Sequence, residues 1–134
     1  MKLILDNNIL FSLMKPDSTN SQLFNSMNCE FIAPKFILNE FRKYREECVK
    51  KSKLTKEKFL LREKEINSKI EFIEFKEFEK FLEEAIKVSP DENDAPYFAL
   101  ALKINIPLWS NDAELKQQDK IQVLSTRDLI EIVF

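Results

Sequence analysis

The chain has 134 residues, 44% of them apolar, with 21 basic and 23 acidic side chains for a net charge of −2; that is material for one core and little more. It contains no histidine, which excludes Ser-His-Asp triads, Cys-His dyads and histidine bases. It contains no glycine either, so neither a Gly-rich phosphate loop nor a dinucleotide fingerprint is possible.

Lys2-Leu3-Ile4-Leu5 is apolar on both faces and predicts a central, parallel, buried strand ending at Asp6. Asn7-Asn8 interrupts the pattern. Ile9, Leu10, Leu13 and Met14 follow at helical spacing, with Pro16 as the stop. Ser18 or Thr19 caps a second helix through Leu23, Phe24 and Met27. Cys29 to Ala33 predicts a second strand, which Pro34 stops, and one helix is expected from about Lys35 to Lys51. Thr55 opens a charged helix through Phe59, Leu60 and Ile66.

Ile70 to Phe75 is ambiguous between strand and helix, and is read as a strand with Ile70 and Phe72 inward. Phe78, Phe81, Leu82, Ala85 and Ile86 form one helical stripe. After the loop Ser89–Asn93, a helix from about Asp94 to Ile104 is apolar nearly all round, so it should be the most buried. Pro107–Ser110 is a short strand and Asn111–Lys116 a helical turn. Gln122–Leu124 is the last strand, and Ser125 caps a final helix. Strands alternating with helices predict an α/β fold over residues 1–134, with a mainly parallel sheet and helices on both faces.

Charge is uneven along the chain. Residues 42–69 carry a net +6, and residues 70–94 a net −6. The basic stretch reads as an extended helical arm suited to a phosphate backbone, or as a solvated hairpin with i,i+4 charge pairs. Cys29 and Cys48 are too few for a zinc site or a disulfide scaffold and read as buried free thiols. No apolar run approaches the roughly 20 residues of a membrane span, and no cleavable signal is apparent. A cytoplasmic protein that binds no membrane is therefore expected.

Four carboxylates stand out. Asp6 and Asp112 fall just past the carboxyl ends of predicted strands, where open parallel sheets bind ligands; a turn or N-cap role is the alternative for each. Glu40 shares a helical face with Ile37 and Tyr44, where a carboxylate is costly unless it is paired, hydrogen-bonded or metal-bound. Asp94 opens the apolar helix with Pro96 behind it, a position that also suits a cap. Gathered in one cleft, these acids would repel one another without a cation. Mg²⁺ or Mn²⁺ suits an all-oxygen donor set, and such sites hydrolyse phosphodiesters.

In this order, these motifs resemble the PIN-domain family of metal-dependent ribonucleases. Leu3-Ile4-Leu5-Asp6-Asn7-Asn8 is similar to the family's opening, and Leu38-Asn39-Glu40-Phe41 to its helical Glu. Asp91-Glu92-Asn93-Asp94-Ala95-Pro96-Tyr97 and Pro107-Leu108-Trp109-Ser110-Asn111-Asp112 resemble its third and fourth motifs, and Val123–Leu129 its C-terminal segment. The resemblance implies a three-layer α/β/α sandwich and a metal held by Asp6, Glu40, Asp94 and Asp112. It further implies that Ser110 orients Asp6, that Asn8 supports it, and that Asp91 or Glu92 adds to the site. VapC-type toxins are similar in size; that likeness implies an RNA substrate, an antitoxin partner and a homodimer. The sequence departs from the family at its usual glycines, notably where Asn105 must take the left-handed conformation before Ile106-Pro107. A catalytically silent binding module on the same fold is the alternative function. A phosphatase or receiver domain fits less well, because Asn8 stands where the former needs a second Asp.

Overall fold

The computed structural model describes all residues, Met1–Phe134. Five strands, β1 (Lys2–Leu5), β2 (Glu30–Pro34), β3 (Ile70–Ile73), β4 (Leu108–Trp109) and β5 (Val123–Leu124), form one sheet in the order β3-β2-β1-β4-β5. Every neighbouring pair is parallel. Leu3, Ile4 and Leu5 point alternately to the two faces of the sheet, and all three are fully buried. Helices therefore cover both faces, giving the expected α/β/α sandwich. Each such side chain contributes about 1.5–3 kcal/mol on leaving water, which explains why so short a strand holds the centre.

Nine α-helices flank the sheet: α1 (Asn7–Leu13), α2 (Thr19–Ser26), α3 (Ile37–Lys43), α4 (Arg45–Ser52), α5 (Lys56–Asn67), α6 (Phe75–Phe78), α7 (Leu82–Val88), α8 (Ala95–Ile104) and α9 (Thr126–Val133). Predicted caps close several of them. Ser18 accepts the Ser21 amide, Thr55 accepts the Lys58 amide, and Ser125 forms a reciprocal capping box with Asp128. Asn7 and Asn8 do not interrupt the chain; they form the first turn of α1, because Asp6 caps it. Helix α8 lies against β2 and β4 and buries Tyr97, Phe98, Ala99, Leu100 and Ala101. It ends at Asn105 with φ 54° and ψ 50°, the left-handed conformation expected there.

Three elements differ from expectation. The helix predicted over 35–51 is two helices, α3 and α4, broken at Tyr44 (φ −107°, ψ 15°). The break turns Tyr44 outward, leaving it 40% exposed while Phe41 and Cys48 stay buried. The stripe from Phe78 to Ile86 is likewise divided, with a 3-10 turn at Glu79–Phe81 between α6 and α7. Of its aromatics Phe78 is fully buried and Phe81 half-buried against the core; Phe75, just before the stripe, is exposed. Pro34 ends β2 from inside the strand, paired with Ile73.

The basic stretch is a docked hairpin of α4 and α5 rather than an extended arm. Phe59 stacks on Phe41 at 6.0 Å between ring centroids. Arg62 Nε donates to the Leu13 carbonyl at the end of α1 (2.7 Å), and Cys48 Sγ donates to the Phe11 carbonyl (3.7 Å). Arg45 and Glu63 join α4 to α5 by a two-pronged ion pair (2.7 and 3.0 Å). No helix is long and apolar enough to cross a membrane.

Candidate active site

Strand order reverses at β1: the chain runs outward through β2 and β3 on one side, and β4 and β5 lie on the other. A crevice opens at such a switch point, beyond the carboxyl ends of the strands. The register Leu5↔Trp109 brings the next residues, Asp6 and Ser110, side by side at its floor. Both are buried. Ser110 Oγ accepts the Asp112 amide at 3.1 Å, and its hydroxyl faces the Asp6 carboxylate.

Above this floor is a cleft of about 1270 Å³. Asn8 reaches it from α1, Glu40 from α3, Asp91 and Asp94 from the approach to α8, and Asp112 from the loop after β4. Asp6 itself is only 3% exposed. The structure thus brings the sequence-predicted acids to one cleft and its floor. Asn8 touches Asp6 through its backbone amide; its side chain makes no hydrogen bond.

The carboxylates are not equivalent. Asp6 Oδ1 accepts the Ile9 amide (2.8 Å), Asp91 Oδ1 the Asn93 amide and Asp112 Oδ1 the Glu114 amide (3.0 Å each). The turn and cap roles considered from the sequence are therefore real for Asp6 and Asp112, and Asp91 makes a similar turn; Asp91 and Asp112 each leave one oxygen free, while Asp6 is also bonded by Ser110 and the Asn8 amide. Asp94 stands at the N-cap of α8, yet its side chain caps nothing. Glu40 makes no ion pair and is only half-buried: it stands at the edge of the buried face and reaches the open cleft, the water-facing alternative for it, rather than pairing with a lysine.

These acids feel one another. Burial, reinforced by Asp112, lifts Asp6 to about 6 against the pull of Ser110 and the Ile9 and Asn8 amides. Burial, then repulsion from Asp91, Asp6 and Asp112, lifts Asp94 to about 6 as well. Tyr97 is pushed above its usual range by burial and by Asp6, Asp94 and Glu40. Its ring packs on Phe36 at 5.2 Å, and its buried hydroxyl has the Asn7 amide beside it but no well-formed hydrogen bond and no acceptor for its own proton.

No three carboxylates converge closely enough to form a closed metal cage. Instead they present free, hard oxygens along the cleft, with mutual repulsion that a cation relieves. Mg²⁺ suits such an arrangement, because it keeps several waters and takes only one or two protein carboxylates.

Sequence reasoning missed the other half of the cleft. Lys15, Lys43, Lys50, Lys51 and Lys53 line it beside Tyr44. The excess charge of residues 42–69 was the available signal, but only the break at Tyr44 and the docked hairpin bring it to this place. Trp109 is interior, because β5 pairs outside β4; its Nε1 donates to Thr126 at the start of α9 (3.1 Å).

A comparison with curated proteins gave no match. Among solved structures, the chain is similar to one in the crystal structure of VapBC2 from Rickettsia felis bound to a DNA fragment from their promoter. The likeness has a TM-score of 0.65 at 20% identity and covers 93% of this chain and 98% of that one. At this identity it speaks for the fold. The sequence itself matches the PIN domain over residues 4–129, a span that includes all four carboxylates, the end of β1 and the whole of β4, and the chain belongs to the PIN-domain family.

Proposed function

We propose that the chain is a Mg²⁺- or Mn²⁺-dependent endoribonuclease that hydrolyses RNA phosphodiester bonds. The single observation that carries this is Asp94: a half-buried carboxylate at a helix start that caps nothing, facing the buried Asp6 across a cleft rimmed by Glu40 and Asp112. A structural aspartate at that position would spend its oxygens on free amides. Asp6, Glu40, Asp94 and Asp112 would hold the metal, one or two of them directly and the others through its bound waters. Bound there, a divalent ion supplies an activated water and neutralises charge at phosphorus.

The protein's own groups do the rest. The Ser110 hydroxyl and the Ile9 amide fix the Asp6 carboxylate. The Asp112 cap and the Ser110–Asp112 hydrogen bond hold the fourth acid at the rim. Asp91 raises the charge density beside Asp94. A carboxylate not engaged by the metal can accept a proton from water.

The family and the similarity to a chain of the VapBC2 structure support a toxin of a toxin-antitoxin pair, with an antitoxin protein as partner and a homodimer as the working form. A silent binding module leaves the uncapped Asp94 without a role.

The test is calorimetric titration of Mn²⁺ into wild type and Asp6→Asn, followed by incubation of both with structured and unstructured RNAs. Metal binding and cleavage that vanish together in the variant support the nuclease. A wild-type protein that binds no divalent ion and cuts nothing returns the acids to a structural role.

A further inference from the structure

The cleft has two chemically distinct sides. Most acids come from the strand ends and the α8 approach, with Glu40 from α3 and Glu47 from α4, whereas the lysines come from α4, its C-terminal turn, the end of α3 and Lys15 beyond α1. Of the five lysines only Lys51 has a carboxylate partner, Glu47 at 3.0 Å; Lys15, Lys43, Lys50 and Lys53 have none. Lys53 is held with φ 62°, a conformation that costs a non-glycine residue about 1–2 kcal/mol.

Tyr44 stands where this side of the cleft ends. It also lines a second hollow, of about 490 Å³, together with Arg42, Lys43 and Lys50 and the acids Glu46 and Glu47, the latter paired with Lys51. Its ring is held in place by an edge-on contact with Phe11 (6.0 Å) and by the Lys43 ammonium 5.4 Å from its centroid. A 40% exposed aromatic ring, fixed in orientation, thus separates two hollows that share unpaired lysines.

We propose that this side of the cleft is a track for an unpaired nucleic-acid strand. Its phosphates lie on Lys50, Lys53 and Lys15, and one base stacks on Tyr44 as the strand passes from the acids towards Arg42. The proposal deepens the nuclease reading and rests on it for the strand's passage over the acids. Ammonium groups without partners match a chain of phosphates, and an exposed ring matches an unpaired base, because a base inside a duplex cannot reach it. An acidic protein segment would satisfy the lysines but would make no use of Tyr44.

The experiment is fluorescence anisotropy of labelled oligouridylate with the full chain in EDTA, over a series of KCl concentrations. Wild type should bind with an affinity that falls steeply with salt, and a duplex of similar length should bind more weakly. Lys50→Gln with Lys53→Gln should lower affinity at least about tenfold at low salt and flatten the logarithmic salt slope by about 1.4, at roughly 0.7 per lost contact. Tyr44→Leu should weaken binding roughly tenfold with the slope unchanged, and Tyr44→Phe should restore it. Thermal melts confirm that each variant is folded.

Unchanged affinity and slope in the double lysine variant would overturn the track. So would equal duplex binding together with indifference to Tyr44→Leu. Stronger displacement by polyglutamate than by unlabelled oligouridylate would assign the surface to an acidic protein segment instead. Failure of the nuclease reading is separate: that reading falls if Mn²⁺-dependent cleavage is absent, whether or not this binding pattern appears.

Discussion

Ser110 joins the two strand ends that meet at the crevice: its Oγ accepts the Asp112 amide at 3.1 Å while its hydroxyl faces Asp6. One small side chain thus sets the geometry of two acids from opposite sides of the switch point. Ser110→Ala should lower Mn²⁺ affinity by about 10-fold or more, the usual cost of losing a group that orients a metal ligand. It should also cost about 1–2 kcal/mol of stability through the unsatisfied buried partner. Ser110→Thr should recover most of the affinity. Calorimetry and thermal melts check both parts, and unchanged metal affinity in Ser110→Ala would remove the orienting role.

The buried carboxylate makes the metal-free protein less stable at neutral pH. Folded, Asp6 holds its proton up to about pH 6, against 3.8 for its ordinary value. Between those values the folded state binds more protons than the unfolded one, so stability falls as pH rises and the full cost is present above pH 6. A shift of that size corresponds to roughly 3 kcal/mol. Asp6→Asn keeps an oxygen for the Ile9 amide. It should therefore melt higher than wild type at pH 7.5 in EDTA and nearly with it at pH 4. Added Mn²⁺ should raise the wild-type melting temperature and leave that of the variant unmoved.

Tyr97 gives the opposite kind of signal. Its buried hydroxyl has only the Asn7 amide near it and no acceptor for its own proton, and an unmet buried group costs about 1–3 kcal/mol. Tyr97→Phe keeps the packing on Phe36 and should melt at or above wild type in EDTA. A clear loss of stability would show that the hydroxyl is satisfied in solution.

Arg62 ties the α4–α5 hairpin to the end of α1, where helix carbonyls lack partners. Arg62→Met should cost about 1–3 kcal/mol, in line with a charge-assisted hydrogen bond. Limited proteolysis should then cut first within residues 45–67, while the sheet stays resistant. Cleavage elsewhere would place the weak point outside the hairpin.

Much of the frame is legible in the sequence because local chemistry decides it. The doubly apolar run Leu3–Leu5 can only be a buried strand, Asn105 is the residue that best tolerates the left-handed turn after Gly, and Ser18, Thr55 and Ser125 are caps. The acids at strand ends follow from the same logic. The break at Tyr44 does not, since no proline or glycine marks it; where Phe41 and Cys48 dock decides it. Nor does the freedom of Asp94, because a capping aspartate and a free one are identical in sequence. The lysines of the cleft were visible as charge, but their place depends on the hairpin folding back on α1.

The strand order has a consequence for synthesis. Asp6 follows the first strand, but its neighbours at the crevice, Ser110 and Asp112, come more than 100 residues later. Until β4 emerges and pairs with Ile4 and Leu5, that edge of β1 stays open and the crevice has one side. A nascent chain can fold its N-terminal helices and β2 early, as contacts close in sequence form first, yet it remains chemically incomplete. For a protein proposed to cut RNA, and so translated beside its own substrate, assembly of the centre by β4 delays its chemistry until Ser110 and Asp112 have been made.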